Sequence, residues 1–216
     1  MTMRFHFLTA ILLVITCVLG AIAANRPSDE NQPLRASPEI IGVRYCSGDA
    51  ETFSVWLRLR VKYLNRTAKT LILDKEIGKR WYSEKVARSQ EDLESGKFEY
   101  NPNIDWVFSD KDKLPSKPPT DSPNSEFVVL MPGQIFESEI HTALVAQYEN
   151  PKNFAGTLRP GIHQFQMELS AWNHPGDASG FAKSWQKFGQ LVTGMIKTEP
   201  LEVQIPSNPK VEADCH

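Results

Sequence analysis

Three basic side chains at two-residue spacing form the row of this chain that is best able to bind an anion. Arg58, Arg60 and Lys62 lie in the stretch 52–67, TFSVWLRLRVKYLNRT, in which apolar and polar residues alternate. This alternation predicts a half-buried β-strand with the three cations on its outer face. Such a row could bind an anionic glycan or an acidic protein, and Trp56 on the same face would add an apolar contact.

The same cations have an alternative interpretation as one half of an ion-pair ladder. Glu137 and Glu139 in QIFESEIH also share one strand face. If the two strands are neighbours, opposite charges face each other and cancel the cationic patch. We favour the ladder for the charges and keep Trp56 as a candidate contact residue. Trp172, close to a predicted loop, is the second aromatic candidate, because aromatic side chains beside loops can form a binding platform.

Motifs for metal binding and catalysis are absent from the sequence. It contains no HExxH, CxxC, GxSxG, Walker or paired-glycine dinucleotide motif. His141 and His163 each follow a Pro-Gly turn and could pair on neighbouring strands, but no third ligand has a recognisable spacing. The Asn- and Asp-rich stretch 101–112 lacks the glycine and glutamate of an EF-hand loop. We therefore predict no metal, no cofactor and no catalytic residues.

Cys46 and Cys215 are candidates for a disulfide bond. Cys46 ends a predicted early strand, and Cys215 lies on a polar tail that could reach it. An oxidising compartment would allow the bond to form, although sequence alone does not fix its geometry. Asn65-Arg66-Thr67 is formally a glycosylation sequon at a predicted turn.

The amino terminus has the pattern of a secretory signal peptide. Arg4 precedes an apolar run from Phe5 to Ala24, and Ala21-Ile22-Ala23 has the small-x-small form of a cleavage site. We predict a signal peptide over residues 1–24 and export to the periplasm or the medium. The alternative is an uncleaved anchor, because the run nearly reaches the ~20 residues that a membrane span needs. The net charge of −2 gives no reason to expect nucleic acid or an anionic membrane as a partner.

Beyond the leader the sequence predicts one β-rich domain. Residues 25–37 predict a disordered lead-in, residues 38–206 a β-sandwich domain and residues 207–216 a flexible tail. Predicted strands lie within 38–46, 52–64, 70–76, 80–87, 127–145, 158–173 and 199–206. Seven or more short strands with little helix favour an antiparallel two-sheet sandwich over a βαβ fold.

Two short helices are predicted between these strands. The first begins at Ser89, a residue type that caps helices, has acids in its first turn and ends at Gly96. Phe181, Trp185 and Phe188 have the spacing of one face of the second.

The Pro-Gly-led segments VVLMPGQIFESEI and LRPGIHQFQMELSAW, with the closing FGQLVTGMIKTEPLEVQIP, resemble immunoglobulin-like domains of secreted bacterial proteins without assigned function. More distantly, they look like the sandwich of the BsuPI-type proteinase inhibitors. The resemblance covers residues 38–206 and implies an all-β, immunoglobulin-like sandwich with one or two short helical insertions. It transfers no functional residue, because its motifs are strand and turn signatures.

Together these observations predict an exported, non-enzymatic binding protein of the cell envelope or secreted fraction. Its partner would be a protein or a glycan, bound by loops and an outer sheet face. Two alternatives stay open. The proline-rich segment 109–125 could act as the loop of a proteinase inhibitor, or distant loops could assemble a hydrolase site that no local motif reveals.

Overall fold

The computed structural model describes residues 32–79, 82–100, 119–149, 156–173 and 177–213. The predicted signal peptide, the Asn- and Asp-rich stretch 101–112, most of the proline-rich segment and Cys215 lie outside these residues. Within the described ranges, no helix is long and apolar enough to cross a membrane.

The described part of the chain is built mainly of β-strands, which confirms the predicted all-β class. The strands are β1 Leu34–Ser47, β2 Thr52–Asn65, β3 Leu71–Asp74, β4 Tyr82–Ala87, β5 Phe127–Leu130, β6 Ile135–Gln147, β7 Gly161–Ser170, β8 Gln190–Leu191, β9 Met195–Lys197 and β10 Leu201–Ile205. The helices are α1 Gln90–Ser95 and α2 Ala178–Trp185. The two-residue β8 and three-residue β9 carry too little pattern to be predicted from sequence.

The strands form three sheets in a sandwich-like arrangement. Their orders are β1-β2-β6, β10-β7-β4 with β9 also paired to β7, and β5-β3-β8. All the pairs are antiparallel except β3 with β8. Two sheets were predicted; the third arises because the turn at Pro132-Gly133 places β5 and β6 in different sheets.

The main core lies on the inner face of β2, as the alternation predicts. Its inward residues are at most 1 % exposed: Phe53, Val55, Leu57, Leu59, Val61 and Tyr63. They belong to one buried cluster with Phe165, Met167 and Leu169 of β7, which is in a different sheet. Burying each such side chain contributes roughly 1.5–3 kcal/mol, so this cluster holds the sheets together.

The two helices confirm the predicted capping signals in part. The Ser89 side chain accepts a hydrogen bond from the Asp92 backbone N–H at 3.1 Å, and Gly96 ends α1 with a φ of 76°. Helix α2 begins after Asp177 and buries Phe181 and Trp185, whereas Phe188 lies beyond its end and is 38 % exposed. Of the three residues predicted for one face of this helix, the helix therefore contains Phe181 and Trp185 but not Phe188.

Both predicted ends of the domain need correction. Strand β1 begins at Leu34 rather than at Pro38, because Leu34 and Ala36 are buried in the core and only 1 % exposed. The predicted flexible tail is bonded to β1 as far as Glu212. Its backbone N–H donates to the Tyr45 carbonyl at 2.8 Å, and its carbonyl accepts from the Ser47 N–H at 2.9 Å.

Candidate binding surface

The cationic row of β2 lies on the outer face of the sheet β1-β2-β6. We call this surface the ladder face and define it by Trp56, Arg58, Arg60 and Lys62 with their neighbours on β1 and β6. Arg60 lies opposite Glu139 of β6 and Glu39 of β1, and Lys62 lies opposite Glu137. The face stays on the outside because β2 buries its alternate residues in the core.

Each cation of the row has a carboxylate within ion-pair distance. Arg58 Nε lies 3.5 Å from Glu139 Oε1, Arg60 Nε 3.8 Å from Glu137 Oε2, and Lys62 Nζ 3.5 Å from Glu39 Oε2. These side chains are about half exposed, so each pair contributes only about 0–1 kcal/mol. The predicted ladder is confirmed, and the row is not an unbalanced cationic patch.

His141 extends the ladder on β6. Its Nε2 lies 2.9 Å from Glu139 Oε1. This hydrogen bond, together with the charge of Arg58, holds the pKa of Glu139 below its usual range. Glu139 therefore stays a carboxylate on this face and can accept hydrogen bonds.

Trp56 is the large apolar side chain of the ladder face and is 40 % exposed. It lies opposite Arg44 on β1 and Ala143 on β6. Val145 on the same face of β6 is also exposed, at 36 %. Strand β4 does not belong to this sheet, because it pairs with β7 in another sheet.

Trp172 lies in a different part of the molecule and does not extend the ladder face. Its ring stacks on Phe127 with centroids 5.9 Å apart and packs against Phe181 at 5.3 Å. It covers a second buried cluster that also contains Trp185 of α2. Trp172 is half-buried and contributes to packing beside α2, and its role as a contact residue stays a prediction.

Cys46 is 4 % exposed at the end of β1 and forms a disulfide bond. Its partner lies outside the described residues, so the pairing with Cys215 stays a prediction. Glu212 lies beside Cys46 and forms an isolated parallel β-bridge with it through the backbone. The Glu212 side chain forms an ion pair with Arg44 at 2.5 Å.

The two candidate histidines lie in different sheets and do not pair. His141 is exposed on β6, whereas His163 on β7 is fully buried. In the described ranges no three His, Cys, Asp or Glu side chains come together as a possible metal site.

Asn65 of the sequon is a structural residue of the turn after β2. It is 1 % exposed, and its amide nitrogen donates to the carbonyls of Lys69 and Leu130, both at 2.9 Å. Its side-chain oxygen accepts from the N–H and the hydroxyl of Thr67, again at 2.9 Å. A glycan would replace one of the two amide hydrogens that donate these bonds, and Asn65 is only 1 % exposed, so the folded chain does not present Asn65 as an acceptor.

Glu84 points inward from β4 and is a buried acid that was not predicted from the sequence. It lies opposite Met167 of β7, is 3 % exposed, and its Oε1 has no hydrogen-bond partner among the described residues. Burial raises the pKa of Glu84 to about 8. Burial raises the pKa of Tyr82 and of Tyr100, and the charge of Glu84 adds to both shifts. The sequence could have indicated this burial, because Tyr82, Glu84 and Val86 occupy alternate positions of β4 and therefore share its inward face.

A second buried group surrounds His163. Its Nε2 donates to the Arg159 carbonyl at 2.7 Å, and its Nδ1 lies 3.2 Å from Glu99 Oε2. Arg88 Nε binds the other oxygen of Glu99 at 2.9 Å. Burial lowers the pKa of His163, an effect that the Arg159 carbonyl opposes. This group ties β7 to the segment after α1.

No family model matches this chain, and no curated protein matches it in sequence.

Proposed function

We propose that this chain is a non-enzymatic binding protein that holds a protein partner on the ladder face, with Trp56 as the central contact. One observation carries the proposal: a tryptophan 40 % exposed in the middle of a regular sheet face. Tryptophan is enriched among the residues that dominate protein–protein binding energy, because it buries a large apolar area on association.

The charges around Trp56 favour a protein over an anionic glycan. Arg58, Arg60 and Lys62 each have a carboxylate partner, so the face offers both signs of charge rather than an excess of cations. A ring of polar pairs around an aromatic anchor is the usual anatomy of a protein interface. At ~3.4 Å per residue the row from Ser54 to Lys62 is about 27 Å long, so a partner can cover Trp56 and the ladder together.

We also propose that the protein acts outside the cytoplasm and that its fold is an immunoglobulin-like sandwich. The signal-peptide pattern of residues 1–24 and the disulfide at Cys46 support export. The all-β fold and the Pro-Gly-led strands support the immunoglobulin-like interpretation.

The test is affinity capture with the chain lacking residues 1–24. We would incubate it with envelope and culture-medium fractions of the source cells, cross-link the complexes and identify retained proteins by mass spectrometry. Trp56→Ala should reduce the recovery of the specific partner at least tenfold, because truncating a central aromatic contact typically costs 2 kcal/mol or more.

Ile162→Ala is the matched control, because Ile162 is an apolar side chain of β7 that is 50 % exposed away from the ladder face. It should retain the partner. Equal recovery by the wild type and Trp56→Ala would contradict the proposal, as would retention of a purified glycan that Trp56→Ala abolishes.

A further inference from the structure

An open groove of about 600 Å³ lies at the other end of β2, away from Trp56. We call it the lysine groove and define it by Lys69, Thr70, Gln186, Lys187, Phe188 and Gln190, which line it. One wall is the turn that follows β2. The opposite wall is the segment that leaves α2 and enters β8.

Several hydrogen bonds hold these walls in place. Lys69 is fixed through its backbone, because its carbonyl accepts from the Asn65 amide at 2.9 Å and from the Thr67 hydroxyl at 3.1 Å. Across the groove, the Gln190 N–H donates to the Thr70 carbonyl at 2.9 Å. The approach of the two walls requires glycine at position 189, where a Cβ would lie 2.8 Å from the Thr70 carbonyl oxygen.

The wall after α2 is anchored in the aromatic cluster. Trp185 is fully buried, and its Nε1 donates to the Thr120 carbonyl at 2.8 Å. The Trp185 carbonyl accepts from the N–H groups of Phe188 and Gly189, at 2.8 and 3.3 Å. The helix end therefore turns tightly and leaves Phe188, 38 % exposed, at the groove.

The charge in this groove contrasts with that of the chain, whose net charge is −2. Lys69 and Lys187 are both exposed, and neither forms an ion pair among the described residues. Among the described residues, no Asp or Glu lines the groove. Lys187 Nζ lies 5.0 Å from the centroid of the Phe188 ring, so a cation and an aromatic face are offered together.

We infer that the lysine groove binds an acidic peptide segment, with carboxylates at the two lysines and an apolar side chain on Phe188. The described lining offers two separate lysine cations and no arginine fork, so it matches single carboxylates spaced along a peptide better than one phosphate held at two points. A peptide fits the open shape, because Gln186, Gln190 and Thr70 can bind backbone amides. β8 is also the edge strand of the sheet β5-β3-β8. This inference is independent of the ladder face.

The experiment is fluorescence anisotropy with the chain from residue 25 to residue 216, without the predicted signal peptide. The probe is a labelled peptide, Glu-Asp-Leu-Glu-Asp, and its uncharged counterpart is Gln-Asn-Leu-Gln-Asn. The acidic peptide should bind, more weakly as salt is raised, and the counterpart should bind at least tenfold more weakly. Lys69→Glu combined with Lys187→Glu should reduce affinity for the acidic peptide at least tenfold, and Phe188→Ala should reduce it about threefold.

The matched control is Lys97→Glu combined with Lys210→Glu, which changes the net charge equally at two exposed lysines outside the groove. Its affinity should stay within twofold of the wild type. No binding of the acidic peptide at millimolar concentration would overturn the inference. Equal binding of the two peptides, an equal loss in the control, or displacement of the peptide by equimolar inorganic phosphate would also overturn it.

Discussion

The ladder face and the interior beneath β4 treat charged side chains in opposite ways. On the ladder face Arg58, Arg60 and Lys62 each lie 3.5–3.8 Å from a carboxylate, and all these groups are about half exposed. Beneath β4 the carboxyl of Glu84 is 3 % exposed, and its Oε1 has no partner among the described residues. The densely charged ladder face thus contributes little to the free energy of unfolding. The single acid Glu84, which lies among inward-facing residues of β4, lowers that free energy when it is ionised.

The magnitudes separate the two regions clearly. An exposed ion pair contributes about 0–1 kcal/mol, because water and salt screen it. Burial raises the pKa of Glu84 from its ordinary 4.5 to about 8. At 1.36 kcal/mol per unit, this difference corresponds to a cost of about 5 kcal/mol, reached only above the folded pKa, where the carboxyl is ionised in both the unfolded and the folded chain.

The largest expected effect is that of Glu84→Gln on the pH dependence of stability. Because the pKa of Glu84 is raised in the folded chain, its contribution favours folding below pH 4.5 and is lost as the pH rises to about 8. The glutamine cannot ionise, so the variant should lose less stability over this range. At pH 9 it should be more stable than the wild type by about 3 kcal/mol, the full cost less that of burying an amide. Urea unfolding at pH 5, 7 and 9 measures this.

Glu139→Gln is the control for that experiment, because Glu139 is a carboxylate of the ladder face. Hydrogen bonding by His141 and the charge of Arg58 lower its pKa, so its contribution is lost as the pH falls, the opposite direction from Glu84. The control should therefore gain no stability at pH 9. A wild-type pH slope in Glu84→Gln would show that the interior carboxyl is as well compensated as those outside.

The second prediction concerns the acid side of the same comparison. His163 is fully buried, and burial lowers its pKa in the folded chain. Its contribution is therefore present above pH 6.5 and lost as the pH falls through the lowered value. His163→Gln retains a donor for the Arg159 carbonyl and should lose less stability than the wild type between pH 7 and pH 5. The effect should be smaller than that of Glu84, because the Arg159 carbonyl and Glu99 oppose the desolvation of His163.

Urea midpoints at the two pH values test this prediction. The control is His141→Gln, since His141 is 63 % exposed on the ladder face. This control should follow the acid profile of the wild type. If His163→Gln also follows that profile, the desolvation of His163 does not limit the acid stability of the fold.

The features that the sequence predicted are those whose signals are local. The alternation of β2, the Ser89 cap and the Gly96 end of α1 depend on residues within a few positions of one another, and the structure has all of them. The ion pairs between the β2 cations and Glu137 could be predicted only on the assumption that their two strands are neighbours. The β2–β6 pairing confirms this assumption.

The remaining features depend on contacts between residues distant in sequence. Trp172 and Phe127 come into contact because β5 joins a separate sheet, and Lys69 and Lys187 line one groove because β8 pairs with β3. The sequence indicates that Asn65 belongs to a glycosylation sequon. The structure shows that its side-chain amide donates a hydrogen bond to the Leu130 carbonyl. Glu84 is different, because its alternation with Tyr82 and Val86 could have placed it inside.

The smallest expected effect is that of breaking one pair of the ladder. A double-mutant cycle with Arg60→Ala and Glu137→Ala should give a coupling of about 0.2–0.5 kcal/mol in the free energy of unfolding, and it should decrease as salt is raised. Arg60 and Glu137 are 3.8 Å apart, the longest of the three pairs, and Arg60 also has Glu39 and Glu139 opposite it. Removing one partner therefore leaves the other near alternative charges and in contact with water. A coupling above 2 kcal/mol would instead make the ladder a structural element as costly to break as the interior.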